Sequence, residues 1–328
     1  MHTNNQDDTG VVFRKMLGHY TVHANGRELD CVLSSLLHKQ LNYSTADPTS
    51  MPRRVQTVRE IDKVDPIAIG DQIRFVDSSD GSGMITEILP RVSKLSRPAT
   101  VPGKHVFEQV IVSNADLVIP VFSAASPTPK WGLLDRYLVT AEAADLPALI
   151  VITKLDLADE NQELDNDLEI YQNIGYPIHK VSSHTGEGIE ELKQILQGKM
   201  SVLIGKSGVG KTSLLNAIQP GLGLRVKEVS KGELGKGHHT TTHLEMFDLN
   251  FGGRLVDTPG MREFGLWNIT KDELAYLFPE MEEHVGHCKF GLSCSHDGEP
   301  GCAIRKAVMD GEINPHRYKS YMTLRREL

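Results

Sequence analysis

Between residues 11 and 100 the apolar positions fall into short runs separated by turn residues. Residues 11–13, 19–23, 29–33, 72–76 and 83–88 each read as a strand, with Asn25-Gly26 and Asp80-Gly81 as turn or hairpin signals between them. Strands at this spacing predict a small β-barrel of the OB type. Residues 42–60, which carry Pro48, Pro52, Arg53, Arg54 and Arg59, read as a long polar loop, and Pro98, Pro102 and Gly103 mark a linker.

From about residue 107 the texture changes. Residues 116–122 and 147–152 are near-continuous apolar runs, as expected of strands buried on both faces in a parallel sheet. Between them, residues 131–144 place Leu133, Leu134, Tyr137 and Leu138 at helical spacing. Residues 178–181, a helix over 188–197, and strands at 202–204 and 254–256 continue the alternation, predicting a doubly wound α/β domain.

Composition adds few constraints. A chain of 328 residues, 39% hydrophobic and 24% charged, is that of a soluble globular protein of two or three modules. Residues 1–10 are polar and acidic, unlike a signal peptide, and the longest apolar runs are strand-sized, so a cytoplasmic protein with no membrane partner is expected. The net charge of −8 is unevenly spread. Residues 153–170 hold seven acids against Lys154 alone, whereas residues 89–104 hold Arg91, Lys94, Arg97 and Lys104 without an acid. Residues 303–328 carry six Lys and Arg against three acids. Basic binding patches and ordinary solvated faces both fit this distribution.

The strongest chemical signal is Gly205-Lys206-Ser207-Gly208-Val209-Gly210-Lys211-Thr212, which follows a predicted strand and opens a helix. Its glycines let backbone N–H groups wrap phosphates at a helix N-terminus. Lys211 is expected on the β- and γ-phosphates and Thr212 on Mg²⁺, with Ser213 completing the GTP-binding run. Asp257-Thr258-Pro259-Gly260 follows another strand, where Asp257 can hold Mg²⁺ and the Gly260 N–H can meet a γ-phosphate.

Thr153-Lys154-Leu155-Asp156 occupies the slot that GTPases usually fill with Asn-Lys-x-Asp. The Asp156 carboxylate suits the paired N1–H and 2-amino donors of guanine, and the Lys154 stem covers the ring. Ser182-Ser183-His184 matches the short loop whose backbone N–H meets guanine O6. In most GTPases the phosphate loop precedes the guanine motifs. Here the guanine motifs come first, and the helix over 188–197 runs almost directly into the strand of the phosphate loop. That order predicts a circularly permuted GTPase domain.

Cys31 stands alone in an apolar stretch and reads as a small buried hydrophobe. Cys288, Cys294 and Cys302 cluster near the C-terminus and, with His296, offer three thiolates and an imidazole for a closed structural Zn²⁺ site, one ion per chain. His284 and His287 are alternative ligands.

On these motifs, together with Ile69-Gly70-Asp71, Arg97-Pro98, Leu134-Asp135-Arg136-Tyr137-Leu138 and Gly237-His238-His239-Thr240-Thr241-Thr242, the chain resembles the RsgA (YjeQ, YloQ) family. These are circularly permuted GTPases associated with the bacterial small ribosomal subunit. The resemblance covers nearly the whole chain. It implies an OB-fold barrel over residues 1–100, a permuted GTPase domain over 101–275 and a zinc domain over 276–328. It further implies GTP and GDP as ligands, and the small subunit and its rRNA as partners. The expected role is late subunit maturation with subunit-stimulated hydrolysis, by a monomer. Thr241 is expected to complete the Mg²⁺ shell. Met261 stands where Ras-like proteins have a water-orienting glutamine, and His239 matches the family histidine proposed for that role. A phosphate- or RNA-facing surface role for His238 and His239 stays open. The spacing from Cys288 to Cys294 is one residue longer than expected for the family.

Two readings compete. A small-molecule kinase or ATPase would leave Asp156 and the Cys/His segment unexplained. A nucleic-acid-binding module with a merely structural nucleotide would leave the phosphate-side machinery without use.

Overall fold

Alternation of inward apolar and outward polar side chains shapes the first strands. Strand β1 (Asp8–Met16) buries Val12 and Phe13, β2 (His19–Ala24) buries Tyr20, Val22 and Ala24, and β3 (Arg27–Leu33) buries Leu29 and Cys31. Strand β4 (Gln72–Asp77) adds Ile73 and Phe75, and β5 (Ser82–Ile88) adds Ile85. Pairing runs β1–β2–β3 antiparallel, β3–β5 parallel, and β5–β4–β1 antiparallel, so the last strand returns to the first. This is the closed five-stranded OB-type barrel expected from the strand spacing. Cys31 lies inside it, where a Cβ on Gly83 would sit 2.9 Å from its sulfur. Burial pushes the Cys31 thiol up to about 12, which makes it an inert filler.

The computed structural model describes residues 8–16, 18–37, 66–99, 107–158, 162–222, 244–258 and 266–328. The chain divides into two compact units, Met1–Asn114 with His243–Phe247, and Ala115–Thr242 with Asp248–Leu328.

The Ile69-Gly70-Asp71 motif is structural. Asp71 is fully buried, and its carboxylate accepts from Arg91 at 2.6 and 2.7 Å, from the Ser113 hydroxyl at 2.7 Å and from the Ala68 N–H at 2.8 Å. Strands β6 (Lys94–Ala99) and β7 (Phe107–Ser113) form a two-stranded antiparallel sheet. Pro98, read as part of a linker, is instead in β6 opposite Glu108. A two-stranded ribbon has open edges, so a proline without an N–H costs no ladder bond there. The run of cations at 89–104 is largely paired, with Arg91 on Asp71, Lys94 on Glu108 and Arg97 on the Gln109 side-chain oxygen. Residues 42–60 lie outside the described residues.

The second unit is built on parallel strands. Every residue of β8 (Leu117–Ser123) and β9 (Ile150–Thr153) is buried, with helix α1 (Trp131–Glu142) between them. Helix α2 (Gln162–Ile174) follows, turning Leu164, Leu168 and Tyr171 inward and Glu163, Asp165 and Glu169 outward, while Asp167 accepts from the Trp131 indole N–H at 2.6 Å. The periodicity of the apolar residues was masked at sequence level by the acidic block. Then come β10 (Ile178–Lys180), α3 (Ile189–Leu196), β11 (Met200–Ile204) and α4 (Lys211–Ile218). Residues 245–247 of β12 (Glu245–Asp248) belong to the first unit, where Glu245 pairs with Arg14 of β1, and β13 (Arg254–Asp257) completes the parallel set of the second. The parallel order is β10-β9-β8-β11-β13. One core includes Ile119, Val121, Leu203 and Leu255 of the sheet with Leu192, Leu196, Leu214 and Leu215 of α3 and α4.

The C-terminal residues pack against α1. Helix α5 (Pro279–Glu282) is a single turn, followed by α6 (Ala303–Asp310) and α7 (Pro315–Glu327). Asn314 caps α7 by accepting from the His316 N–H, with Pro315 in the first turn. Phe278, Met281, Ile304, Ile313, Tyr321 and Leu324 share a core with Val139 of α1. Among the described residues no helix is long and apolar enough to cross a membrane.

Candidate nucleotide and metal sites

The loops that follow β8, β9, β10, β11 and β13 all leave the carboxyl ends of parallel strands, the edge where open α/β sheets bind ligands. Gly205 to Gly210 form the turn between β11 and α4. A Cβ on Gly205 would lie 2.5 Å from the Val121 carbonyl oxygen, and Gly208 and Gly210 have φ of +85° and +96°. Only glycine meets both demands. Val209 turns its side chain into the core beneath, anchoring the loop, while Ser207 stays exposed. Lys206, Thr212 and Ser213 are half-buried.

Lys211 is 7% exposed, and its ammonium donates to the carbonyls of Gly205 at 2.5 Å and Lys206 at 3.1 Å. Burial holds its pKa below the usual lysine range, with the Asp257 carboxylate opposing the shift. The same burial raises Asp257, with Lys211 opposing. Asp257 Oδ1 is buried and has no hydrogen-bond partner among the described residues. An orphaned carboxylate oxygen in a site with a helix-start hydroxyl, Thr212, is a donor set suited to a hard divalent cation. Thr258 is fully buried and donates to the Leu203 carbonyl at 2.7 Å, fastening the end of β13 to β11.

The guanine-type loop is stitched to the phosphate loop by two side chains. Thr153, 1% exposed, sets its hydroxyl against the Val209 carbonyl and 3.1 Å from that of Phe122. Lys154, in the left-handed region at φ +58°, donates to the Gly208 carbonyl at 2.7 Å and to that of Ser126. Burial lowers the Lys154 pKa, and Asp156 opposes the shift. Asp156 in turn accepts from the Ser182 hydroxyl at 2.5 Å. That hydroxyl accepts from the N–H groups of His184 at 3.2 Å and Thr185 at 3.1 Å, so Ser182 organises its own loop and fixes the Asp156 carboxylate at once. Ser183 follows it in the loop. Sequence reasoning missed the contribution of the end of β8 and the loop after it. Ser126 and Phe122 act through backbone carbonyls, which leave no trace in residue type, although Pro127 and Pro129 after a buried strand were a visible turn signal. His239, Thr241 and Gly260 lie outside the described residues.

Near the C-terminus, Cys288, Cys294, His296 and Cys302 converge, all buried, with ligand atoms within 4.8 Å of one another. His296 Nδ1 is 3.5 Å from Cys288 Sγ and 3.4 Å from Cys302 Sγ, and the latter two sulfurs are 3.9 Å apart. A tetrahedral zinc site has S···S edges of about 3.8 Å and S···N edges of about 3.5 Å. The donor set and spacing therefore fit that ion, with Nδ1 as the histidine ligand atom. Backbone N–H groups of Ala303 and Arg305 point at Cys288 and Cys302, favouring thiolates. His284 is not a member: its imidazole faces Glu283 and Glu312 at 3.7 Å. The longer Cys288–Cys294 loop is taken up by a short 3₁₀ turn, Gly291–Ser293.

Comparison with known proteins agrees with this geometry. A family model for RsgA GTPase matches residues 88–267, more than half of the chain. The small ribosomal subunit biogenesis GTPase RsgA of Gemmatimonas aurantiaca is 45% identical over 265 residues, 80% of this chain and 84% of that protein. The protein of the same name from Moorella thermoacetica is 39% identical over 320 residues, 97% of each chain. Among solved structures, YjeQ from Thermotoga maritima matches with a TM-score of 0.72 at 33% identity, covering 98% of both chains. YloQ, described as a circularly permuted GTPase, matches with a TM-score of 0.67 at 29% identity, covering 100% of this chain and 97% of its own. The chain belongs to the RsgA GTPase family: it is a GTP hydrolase with an OB-type barrel, a circularly permuted GTPase domain and a C-terminal Cys₃His cluster.

Proposed function

We propose that this GTPase binds the small ribosomal subunit, acts in its late maturation, and hydrolyses GTP faster when bound to it. The observation that carries the reading of the site is the convergence of the loops at Thr153, Ser182, Gly205 and Asp257 on one edge of the parallel sheet, tied together by Thr153, Lys154 and Ser182. The printed names of the relatives supply the ribosomal part.

In this reading Gly205 to Ser213 cradle the phosphates and Lys211 neutralises the β- and γ-oxygens. Asp156 selects guanine, and the backbone of Ser182 and Ser183 meets its O6. Thr212, Thr241 and Asp257 hold Mg²⁺, which when bound offsets phosphate charge. Gly260 donates to the γ-phosphate, and His239 positions the attacking water, a task Met261 cannot perform because a thioether is no useful hydrogen-bonding partner for it. Cys288, Cys294, His296 and Cys302 hold one structural Zn²⁺, and a protein-filled tetrahedron leaves no open position for catalysis. Residues 1–100 form the ribosome-binding barrel, 101–275 the GTPase domain and 276–328 the zinc domain. Barrel and zinc domain contact rRNA, and the protein works as a cytoplasmic monomer cycling between GTP and GDP. The test is the rate of GTP hydrolysis with and without purified small subunits. Equal rates would overturn the stimulation, and hydrolysis of ATP at the same rate as GTP would overturn the specificity.

A further inference from the structure

In the nucleotide site proposed above, on which this reading rests, Thr153 stands where most GTPases have an asparagine. An asparagine amide at the first position of the guanine loop carries two N–H donors, so one can hold the backbone while the other remains for an acceptor on the base. Thr153 has one hydroxyl proton. Its oxygen lies against the Val209 carbonyl and 3.1 Å from the Phe122 carbonyl, in a position that is 1% exposed. Carbonyls accept only, so the single proton is committed to the backbone whichever oxygen takes it. Lys154, the next residue, spends two of its three ammonium donors on the carbonyls of Gly208 and Ser126, which hold the head group to the backbone. Guanine presents two acceptors on its outer edge, N7 and O6, and two donors on its pairing edge. Asp156, an acceptor fixed by Ser182, serves the donors, and the N–H groups of the Ser182 loop serve O6. Thr153, at the position where an asparagine would have a second donor, has none left to serve N7.

We propose that Thr153 is a positioning residue that locks the base loop to the phosphate loop, and that this GTPase selects guanine without reading N7. Specificity then comes from the pairing edge and O6 alone. The lock also links the two halves of the site: a change at Thr153 alters the hold on phosphates and base together, because the hydroxyl bonds to the phosphate loop itself.

The experiment is a competition titration of the full-length protein with GTP, 7-deaza-GTP, ITP and ATP. The proposal expects GTP and 7-deaza-GTP to bind within about twofold of each other, since no hydrogen bond separates them, and ITP, which lacks the 2-amino group, to bind about tenfold more weakly. Thr153→Val keeps the shape and removes the hydroxyl, and it is expected to weaken GTP and 7-deaza-GTP by the same factor, about threefold to tenfold. Thr153→Asn restores a spare donor and is expected to create a preference for GTP over 7-deaza-GTP. A tenfold preference for GTP over 7-deaza-GTP in the unmodified protein, with guanine selectivity intact, overturns the inference and leaves the site reading standing. Unchanged affinities in a folded Thr153→Val variant overturn the lock. Equal binding of ATP and GTP overturns the site reading together with the inference.

Discussion

The guanidinium of Arg317, on the C-terminal helix, donates to the carboxylate of Asp135 on the first helix of the GTPase core at 2.7 Å, and both side chains are buried. Its other nitrogens bond Glu280 at 2.6 and 3.0 Å, and its Cζ lies over the Phe278 ring, 4.6 Å from the ring centre. Asp135 also accepts from the Tyr171 hydroxyl at 2.8 Å. The family motif containing Asp135 is thus the socket for the tail. Arg317→Ala leaves the carboxylates of Asp135 and Glu280 without the cation they share and is expected to cost about 3 to 5 kcal/mol. Urea unfolding checks this, and a loss below 1 kcal/mol would show that the network contributes specificity rather than stability.

Lys211→Ala is expected to abolish hydrolysis with the barrel intact, because the side chain lies in the phosphate loop and not in either core. Turnover in the variant, measured alongside its circular dichroism spectrum, decides the matter. Unchanged turnover in a folded protein would remove Lys211 from the mechanism.

Asp156→Asn is expected to erode the preference for GTP over ATP, because an amide cannot accept from both guanine donors in the way a carboxylate does. Ser182→Ala is expected to weaken GTP binding by about tenfold through the same group, since it removes a hydrogen bond that fixes the carboxylate. A Ser182→Ala variant with full affinity would show that Asp156 orients itself.

His239→Ala is expected to lower subunit-stimulated hydrolysis and leave nucleotide affinity nearly unchanged, as a group acting on the attacking water does. Affinity falling in step with the rate would instead assign His239 to phosphate binding.

Metal removal tests the tail. Cys294→Ser combined with chelation is expected to open residues 288–328 to hydrogen exchange, because three of the buried residues in that core are the cysteines themselves. Basal hydrolysis is expected to fall less than the subunit-stimulated rate. Equal losses in both would point to collapse of the whole second unit.

The strands and phosphate loop were legible because their signals are local: alternation in the barrel, continuous apolar runs in the parallel sheet, and glycines where a Cβ has no room. Helix α2 was hidden by its own solvent face, since Asp165, Asp167 and Glu169 dominate the composition while only Leu164, Leu168 and Tyr171 carry the packing. The pairing of Arg91 with Asp71 was equally invisible, because a run of cations in sequence says nothing of carboxylates twenty residues away. The site showed the same division. Asp156 and Lys211 are identified by type and spacing, whereas the carbonyls of Ser126 and Val209 that hold the loops could belong to any residue.

The permuted order has a consequence for synthesis. Thr153 and Val209 are 56 residues apart, and the member on the guanine-type loop emerges first. Strand β11, which carries the phosphate loop, lies between β8 and β13 in the sheet, and the register sets Met200 against Arg254. A growing chain therefore holds the loop at Thr153 early, presents the Gly205–Gly210 loop on a half-paired strand, and completes that strand's pairing only when residues 254–257 are free of the exit tunnel. A ligand whose site needs both β11 and β13 stabilises the domain only once the two strands are paired.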